Sequence, residues 1–325
     1  MADLSVNYLG LKLKSPVIVS SSGLTDAVDK IVEIEKAGAG AVVLKSIFEE
    51  QLKHEANQYI VDNDYPEAED YIRNYTRDNS VDKYLDLIEE AKKQVKIPVI
   101  ASVNCVTSSE WVNFATKIEE AGADALEVNV FFLPVNKEAS SLDYEKVYCD
   151  LADELKQRLS IPVAFKLGRQ FSNLTNIVNR LYHRKLDGVV LFNRFYEPDI
   201  DVDKLKLTAA EVFSTPSEIR QTLRWVGIIA GSVDGIDISA STGVHDGESV
   251  VKLLLAGASA VQVCSVLYKK GIPFLKTIID EVEVWMNKSN FNSIADFKGK
   301  LSYRGIKDPV LYERSQFMRH FSNIH

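Results

Sequence analysis

The chain has 325 residues and a net charge of −8, with 46% hydrophobic and 26% charged residues, an ordinary composition for a globular protein. The acidic balance argues against a nucleic-acid or membrane-surface partner, since the phosphates of both would repel it. Three cysteines without CxxC spacing disfavour a disulfide framework and favour a reducing cytoplasm. We recognise no signal peptide and no apolar run near the ~20 residues that span a bilayer.

Short apolar runs recur along the chain, as in parallel strands buried on both faces. In chain order, these eight runs are 16–20, 41–45, 98–104, 125–130, 162–167, 188–193, 235–239 and 260–264. Stretches with apolar residues at helical spacing lie between them, namely 26–39, 81–95, 109–123, 144–159 and 248–258. Eight such units favour one (β/α)8 barrel domain over residues 1–325 rather than an open doubly wound sheet.

The predicted helices carry start and stop signals. Asp26 and Ser109 are expected N-caps, because their side chains can accept hydrogen bonds from the first turn. The repeated AGA endings place Gly38, Gly122 and Gly257 at helix C-termini, where a left-handed residue stops the helix.

Two segments fall outside this alternation. Residues 48–80, after the second strand, form the longest irregular region, which is either a solvated surface excursion or a lid over the barrel mouth. Residues 291–321 follow the eighth unit and are expected to form a C-terminal helical extension outside the barrel.

Polar residues cluster at the ends of the predicted strands, where the active site of a barrel lies. They are Ser20, Ser21, Ser22, Gly23, Lys45, Ser46, Asn104, Cys105, Asn129, Lys166, Asn193, Ser239 to Gly243, Cys264 and Ser265. No carboxylate cluster or histidine pair accompanies them, which disfavours a metal site.

The loops after the seventh and eighth strands, 239–249 and 264–271, are rich in small residues that let backbone N–H groups approach a phosphate. The alternative is ordinary helix capping by serine and threonine. His245, beside this loop, is the histidine least easily assigned to the surface.

Lys45 and Lys166 also have competing interpretations. A lysine at a strand end can form a Schiff base, as in barrel aldolases, or can lie in a buried salt bridge. Two lysines with three amide side chains instead suit a planar heterocycle such as flavin, whose ring atoms accept hydrogen bonds.

These residues resemble the dihydroorotate dehydrogenase family, especially its soluble FMN-dependent class, over nearly the whole chain. PVIVSSSG, AVVLKSIFEEQ, ALEVN and AFKLGR resemble its N-A-S-G, K-S, E-L-N and V-K-L-P segments. Residues 238–271 resemble its I-G-T-G-G-I and Q-I-G-T-A-L units, and SIADFKGKL resembles its C-terminal helix segment.

The resemblance implies FMN as cofactor, a homodimer, and a set of site residues. FMN would contact Ser22, Gly23, Lys45, Ser46, Asn104, Asn129, Lys166 and Asn193, with its phosphate at Thr242, Gly243, Cys264 and Ser265. Asn129 and Asn193 would bind the substrate ring, and Lys45 would contact both flavin and substrate. The implied reaction is oxidation of dihydroorotate to orotate, in pyrimidine biosynthesis, by hydride transfer to flavin N5.

The segment after Asn129 departs from the family. The family writes S-C-P-N there, and its cysteine removes a proton, but this chain reads VFFLP and places Phe132 at the cysteine position. A phenyl ring cannot act as a base. The replacement candidates are Lys137, Glu138, Ser140, Ser141 and Cys105, so Lys45, Ser140 and Cys105 become the predicted catalytic residues.

Two further departures affect the substrate side. Residues 62–75 replace the family's N-S-M-G-L-P-N loop, and NRFYEPDID (193–201) stands where the family has N-S. Arg194 could pair with a substrate carboxylate through two hydrogen bonds. The flavin half of the site is therefore kept, and the substrate half is rewritten.

Three hypotheses follow. The first is an FMN-dependent oxidoreductase acting on dihydroorotate or another small reduced ring or anion. The second is a Schiff-base lyase that uses Lys45 or Lys166 without flavin. The third, prompted by Phe132, is a flavin-binding protein without dehydrogenase activity. The chain has no cysteine set for an iron–sulfur cluster, so it does not itself indicate a partner subunit.

Overall fold

A computed structural model describes residues 2–48, 66–105, 108–130, 133–195 and 197–313, without the side chains of Phe48, 66–79, Cys105 and 108–113. It confirms the predicted (β/α)8 barrel. The strands are β1 (Val6–Tyr8), β2 (Leu11–Leu13), β3 (Val17–Val19), β4 (Ala41–Val43), β5 (Ile47–Phe48), β6 (Val99–Cys105), β7 (Ala125–Val130), β8 (Val163–Leu167), β9 (Gly188–Leu191), β10 (Pro198–Asp201), β11 (Lys206–Ala209), β12 (Asp237–Ala240) and β13 (Ala260–Val263).

Helices alternate with the barrel strands. They are α1 (Val28–Lys36), α2 (Pro66–Gln94), α3 (Ser108–Glu120), α4 (Ser141–Arg158), α5 (Leu174–His183), α6 (Ile219–Ser232), α7 (Gly247–Ala256), α8 (Ser265–Lys270), α9 (Phe274–Lys288) and α10 (Val310–Glu313). None of the helices in the described residues is long and apolar enough to cross a membrane.

The barrel is a closed ring of parallel strands. The hydrogen-bonded order is β4-β3-β13-β12-β9-β8-β7-β6, and pairing of β4 with β6 closes the ring. The short β5 also pairs with β6, in the register Ile47 to Val103. Because all these strands are parallel, their C-terminal ends lie at one mouth.

Two apolar layers hold this ring together. The larger one lies between the strands and the surrounding helices and includes Phe165, Ile118 and Leu253. The smaller one fills the barrel interior with short side chains such as Ala125 and Ala164. Burial of the outer layer therefore supplies most of the hydrophobic stabilisation of the fold.

A hairpin of β1 and β2 closes the N-terminal end of the barrel. Tyr8, Leu9 and Leu13 belong to the inner apolar layer, and the Leu9 N–H donates to Asp237 Oδ2 at 2.7 Å. A Cβ on Gly188 would lie 2.6 Å from Leu9 Cδ2 and 3.1 Å from Asp237 O, so a larger residue there would push the Leu9 side chain aside. The described residues thus seal this end and leave the opposite mouth for a ligand.

The glycine stops are confirmed, whereas the N-cap predictions are wrong. Gly38, Gly122 and Gly257 have φ values of +99°, +91° and +119°. The N-cap of α1 is Ala27, because the carboxylate of Asp26 is engaged by Lys30 Nζ at 2.8 Å instead.

The helix α3 begins at Ser108, so Ser109 lies inside the helix rather than at its N-cap. With Ser109 as the N-cap the predicted helix starts two residues too late, which is a common error because neighbouring serines give the same capping signal.

The region 48–80 is not irregular throughout, and this prediction is corrected. The helix α2 already begins at Pro66, since proline suits a first helical turn and the following residues are good helix formers. Residues 49–65 lie outside the described residues, so the surface and lid interpretations both stay predictions.

The C-terminal segment packs outside the barrel as predicted, up to residue 313. The Gly299 N–H donates to Leu254 O at 2.9 Å, and Lys298 Nζ donates to Ser259 Oγ at 2.7 Å. The hairpins β1–β2 and β10–β11 and the helices α5, α6, α8 and α9 are not among the elements predicted from the sequence.

Candidate active site

A row of polar side chains crosses three neighbouring strands near the barrel mouth. Asn104 on β6 is the register partner of Asn129 on β7, which in turn is the partner of Lys166 on β8. Parallel register brings together side chains that are far apart in sequence. Three predicted ligand residues are therefore neighbours.

A cavity of about 550 Å³ opens beside this row, within the usual size range of small-molecule sites. The predicted site residues that line it are Lys166, Asn193, Arg194, Thr242, Gly243, Cys264 and Ser265. Phe195, Phe213 and Tyr268 add aromatic surface to its wall. The cavity thus joins the ends of β8, β9, β12 and β13.

Lys166 lies in a buried ion pair within a polar network. Its Nζ donates to Glu127 Oε1 at 3.2 Å, to Ser20 Oγ at 3.1 Å and to Gln262 Oε1 at 3.2 Å. The salt-bridge interpretation of Lys166 is therefore correct. An ammonium ion-paired in this way is a poor nucleophile, which weighs against a Schiff base at this lysine.

Asn129 carries a signal for a ligand. The residue is buried, and within the described part of the chain its Oδ1 has no hydrogen-bond partner. An unpaired buried carbonyl oxygen costs about 1–3 kcal/mol unless a ligand or water donates to it. A flavin ring has both N–H and carbonyl groups, so a free amide oxygen beside a lysine suits its edge.

On the opposite wall, hydroxyl groups link the ends of the first three barrel strands. Ser21 Oγ lies 2.9 Å from Ser46 Oγ, which lies 2.7 Å from Ser102 Oγ. The backbone N–H of Ser46 donates to Ser21 Oγ at 2.8 Å. These bonds fix the segment that carries Lys45.

A tyrosine from α2 fills a gap between β4 and β5. Strand pairing with β6 lapses between Leu44 and Ile47, which leaves the N–H and C=O of Ser102 facing the gap. The Tyr84 hydroxyl accepts from the Ser102 N–H at 2.7 Å and donates to its C=O at 3.0 Å. The side chain therefore replaces a missing strand residue.

The predicted phosphate loop has an unusual backbone. Thr242 and Gly243 both have positive φ, +83° and +79°, and Thr242 Oγ1 donates to Phe192 O at 3.2 Å. A Cβ on Gly243 would lie 2.2 Å from the backbone N of Ile219, the first residue of α6. Glycine is thus required for the close approach of these two backbones.

Ser214 and His245 tie the segment after β11 to this loop. The Ser214 N–H donates to Ser265 Oγ at 3.0 Å, and Ser214 Oγ lies 3.2 Å from His245 Nε2. Burial, with the nearby positive charge of Lys269, lowers the pKa of His245 below its usual value. The imidazole is accordingly mostly neutral at pH 7.

Cys264 and the loop after β3 meet at the cavity wall. Burial raises the pKa of the Cys264 thiol, although a Ser22 hydrogen bond and the Lys166 charge oppose this. The thiol is therefore protonated at neutral pH and is not a reactive nucleophile. The Tyr268 hydroxyl lies against Gly23, where a Cβ would come within 2.9 Å of it.

Other predicted residues lie apart from the cavity wall or already have partners. The Lys45 side chain is half exposed, with Nζ 4.0 Å from Asp26 Oδ2. Ser140 is the exposed N-cap of α4, and its hydroxyl donates to Asp143 Oδ2 at 2.8 Å. The side chain of Cys105 and both Phe131 and Phe132 lie outside the described residues.

Arg194 lines the cavity, but its guanidinium is partly occupied. Nε donates to Glu218 Oε2 at 3.1 Å, and Nη1 donates to Val212 O at 2.8 Å. These two bonds use two of the five N–H donors of a guanidinium, and pairing of Arg194 with a substrate carboxylate stays a prediction.

The comparison with known families agrees with this geometry. The model of the family described as dihydroorotate dehydrogenase matches residues 3–286. The chain belongs to the dihydroorotate dehydrogenase family. The resemblance inferred from the strand ends is thereby confirmed, and the chain is an oxidoreductase of this family.

Curated relatives cover nearly the whole chain. "Dihydroorotate dehydrogenase B (NAD(+)), catalytic subunit" of Thermoplasma acidophilum is 29% identical over 92% of this chain and 99% of that protein. The protein of the same name from Methanocaldococcus jannaschii is 25% identical over 88% and 94%. "Putative dihydroorotate dehydrogenase A (fumarate)" of Aquifex aeolicus is 28% identical over 91% and 96%.

Sequence reasoning missed Glu127 and Gln262, the two residues that bond to Lys166 from inside the barrel. Strand periodicity could have found them, because residues 125, 127 and 129 face the same side of β7. The same alternation places Gln262 between Ala260 and Cys264. A charged residue in a fully buried strand is itself a signal.

Proposed function

We propose that this member of the dihydroorotate dehydrogenase family binds FMN at the ends of its barrel strands. In this proposal it oxidises dihydroorotate to orotate, or a closely related small ring, in pyrimidine biosynthesis. The observation that carries the proposal is the unpaired buried Oδ1 of Asn129 beside the Lys166 ammonium. Bound FMN would supply the two-electron acceptor that no side chain can provide.

Each half of the cavity has its own task. Lys166, which lines the cavity, presents its positive charge to the ring of the cofactor, and its register partner Asn129 offers an unpaired amide oxygen. Thr242, Gly243, Cys264 and Ser265 hold the phosphate, because the positive-φ backbone there permits a close approach to it. Asn193 and Asn129 orient the substrate ring through their amides.

Among the proposed bases, Ser140 is disfavoured, and Cys105 stays a prediction because its side chain lies outside the described residues. The Ser140 hydroxyl and backbone are both engaged in the capping box with Asp143. Lys45, half exposed on the adjacent strand end, is the remaining candidate.

The test is anaerobic addition of L-dihydroorotate to protein loaded with FMN, followed by the visible absorption of the flavin. Bleaching is the expected result. If dithionite reduces the bound flavin but L-dihydroorotate does not, the flavin site stands and the substrate assignment fails. A protein that takes up no FMN refutes the proposal as a whole.

The role of Lys166 needs a matched control. Lys166→Met should weaken FMN binding, because it removes the ammonium group that lines the cavity. Lys156→Met removes a lysine that also pairs with a carboxylate, Asp187 at 2.6 Å, but on the outer side of the barrel. Only the first variant should change the dissociation constant of FMN in a fluorescence titration.

We further propose a cytoplasmic homodimer whose contact surface is the β10–β11 hairpin. Ile200 pairs with Leu207 on one face of the hairpin, and both are exposed, by 62% and 74%. Leu205 at the turn is 87% exposed. Apolar side chains projecting together on a ribbon typically mark a protein contact.

A further inference from the structure

Glu127 is a charged residue inside the barrel that the roles assigned above do not use. It is 1% exposed and lies on β7 two residues before Asn129. Both of its oxygens are bonded, Oε1 to Lys166 Nζ at 3.2 Å and Oε2 to Gln262 Nε2 at 2.6 Å. Buried ion pairs seldom stabilise a fold more than apolar packing would. The presence of Glu127 inside the barrel therefore points to a role in the binding site at the barrel mouth.

The network leaves the Lys166 ammonium little freedom. An ammonium has three N–H donors, and here Glu127, Gln262 and Ser20 each accept one of them. The Ser20 hydroxyl in turn donates to Gln262 Oε1 at 2.9 Å. Lys166 nevertheless lines the cavity, so the ammonium that these residues hold is also the one that a ligand meets.

We infer that Glu127 and Gln262 are positioning residues that fix the Lys166 ammonium and balance its charge, and that they thereby set the redox potential of the bound flavin. This inference rests on the proposed function, because it requires a flavin in the cavity. Positive charge beside the ring system favours the reduced cofactor. The Glu127 carboxylate cancels part of that charge and lowers the potential.

The network predicts two substitutions of opposite sign. Glu127→Gln leaves the ammonium uncompensated and should raise the potential. Gln262→Glu puts a second carboxyl group where Gln262 Nε2 now lies 2.6 Å from Glu127 Oε2, so the two carboxyl groups share one proton. The variant should lower the potential once the pH is high enough to remove that proton. Gln262 Oε1 and Glu127 Oε1 both lie 3.2 Å from Lys166 Nζ, so the double variant only moves the carboxylate to the other side. It keeps a donor and an acceptor for every hydrogen bond and should restore the wild-type potential.

The experiment measures the midpoint potential of bound FMN by anaerobic reductive titration against a reference dye. Glu127→Gln, and Gln262→Glu at a pH that removes the shared proton, should each change the ratio of the dissociation constants of oxidised and reduced FMN at least about tenfold, which is about 30 mV for a two-electron couple. Glu145→Gln is the control. It also removes a buried, ion-paired carboxylate, bonded to Arg180 at 2.6 Å, but Glu145 does not line the larger cavity.

The outcomes separate this inference from the proposed function. Wild-type protein without FMN uptake refutes the proposed function before any variant is made. If wild type binds FMN and both single variants keep its potential, only the inference on Glu127 and Gln262 fails. If one single variant does not fold, the inference is tested by the sign of the potential shift in the other variant. If neither folds, the double variant decides, because a shift of about 30 mV or more there overturns the charge balance.

Discussion

Tyr84→Phe tests the gap in the barrel between β4 and β5. The substitution keeps the ring, which is 7% exposed, and removes only the hydroxyl that bonds to the N–H and C=O of Ser102. Ser102 is fully buried, so water does not replace those partners. We therefore expect a loss of stability without a change of fold.

The magnitude follows from the two groups left unpaired. Each buried unpaired polar group costs about 1–3 kcal/mol, which gives about 2–4 kcal/mol for both after partial relaxation. For a chain of this size, about 2 °C of melting temperature corresponds to 1 kcal/mol. The variant should thus melt about 4–8 °C below the wild type.

The assay is thermal unfolding followed by circular dichroism, with hydrogen exchange of the β6 peptide as a local readout. Tyr144→Phe is the matched control, because its hydroxyl accepts one exposed N–H, that of Asn136 at 3.3 Å. Its stability should change by less than about 0.5 kcal/mol. A Tyr84→Phe protein that melts with the wild type and protects the Ser102 amide equally would refute the reasoning.

Three further predictions concern the loops and the surface. Gly243→Ala should abolish FMN binding in a fluorescence titration, because the new Cβ would lie 2.2 Å from Ile219 N. Gly122→Ala is the control. Its Cβ would meet no heavy atom within 4 Å, so this variant should only lower the melting temperature. Burial lowers the pKa of His245 in the folded protein. The neutral imidazole therefore contributes to stability above about pH 6.5, and this contribution is lost as the pH falls through the lowered pKa of the folded state. In His245→Gln, melting temperatures should decline less between pH 7 and pH 5. Leu205→Asp should give monomers in light scattering while leaving FMN affinity intact.

The barrel could be predicted from the sequence because its signals are local. Apolar runs bounded by polar residues mark the strands, and glycines with positive φ end the helices at Gly38, Gly122 and Gly257. Helix α5 carried the same kind of signal, since Leu174, Ile177, Val178 and Leu181 are buried on one face, and it could have been assigned. The hairpin β10–β11 could not, because its strands are mostly exposed and pair with each other rather than packing on the core, so they carry no buried apolar run.

Only those site residues that lie at strand ends could be predicted from the sequence. Asn129 and Lys166 follow from their position at the barrel mouth. The network around Lys166 depends on Glu127 and Gln262, which lie 135 residues apart in sequence, meeting inside the barrel. No spacing rule gives such a contact. The occupied state of Arg194 depends likewise on Glu218, which reaches it from the turn before α6.

The two apolar layers of the barrel have a consequence for how such an enzyme changes its chemistry over time. The outer layer carries most of the apolar burial and contains no proposed ligand residue. The inner layer is thin, and polar side chains replace it towards the mouth. Substitutions at the mouth therefore change the folding stability little. A lineage can lose one reaction and acquire another while the surrounding helices and their packing stay the same. Arg194, which lines the cavity where the family has a serine after the asparagine, stands at such a position.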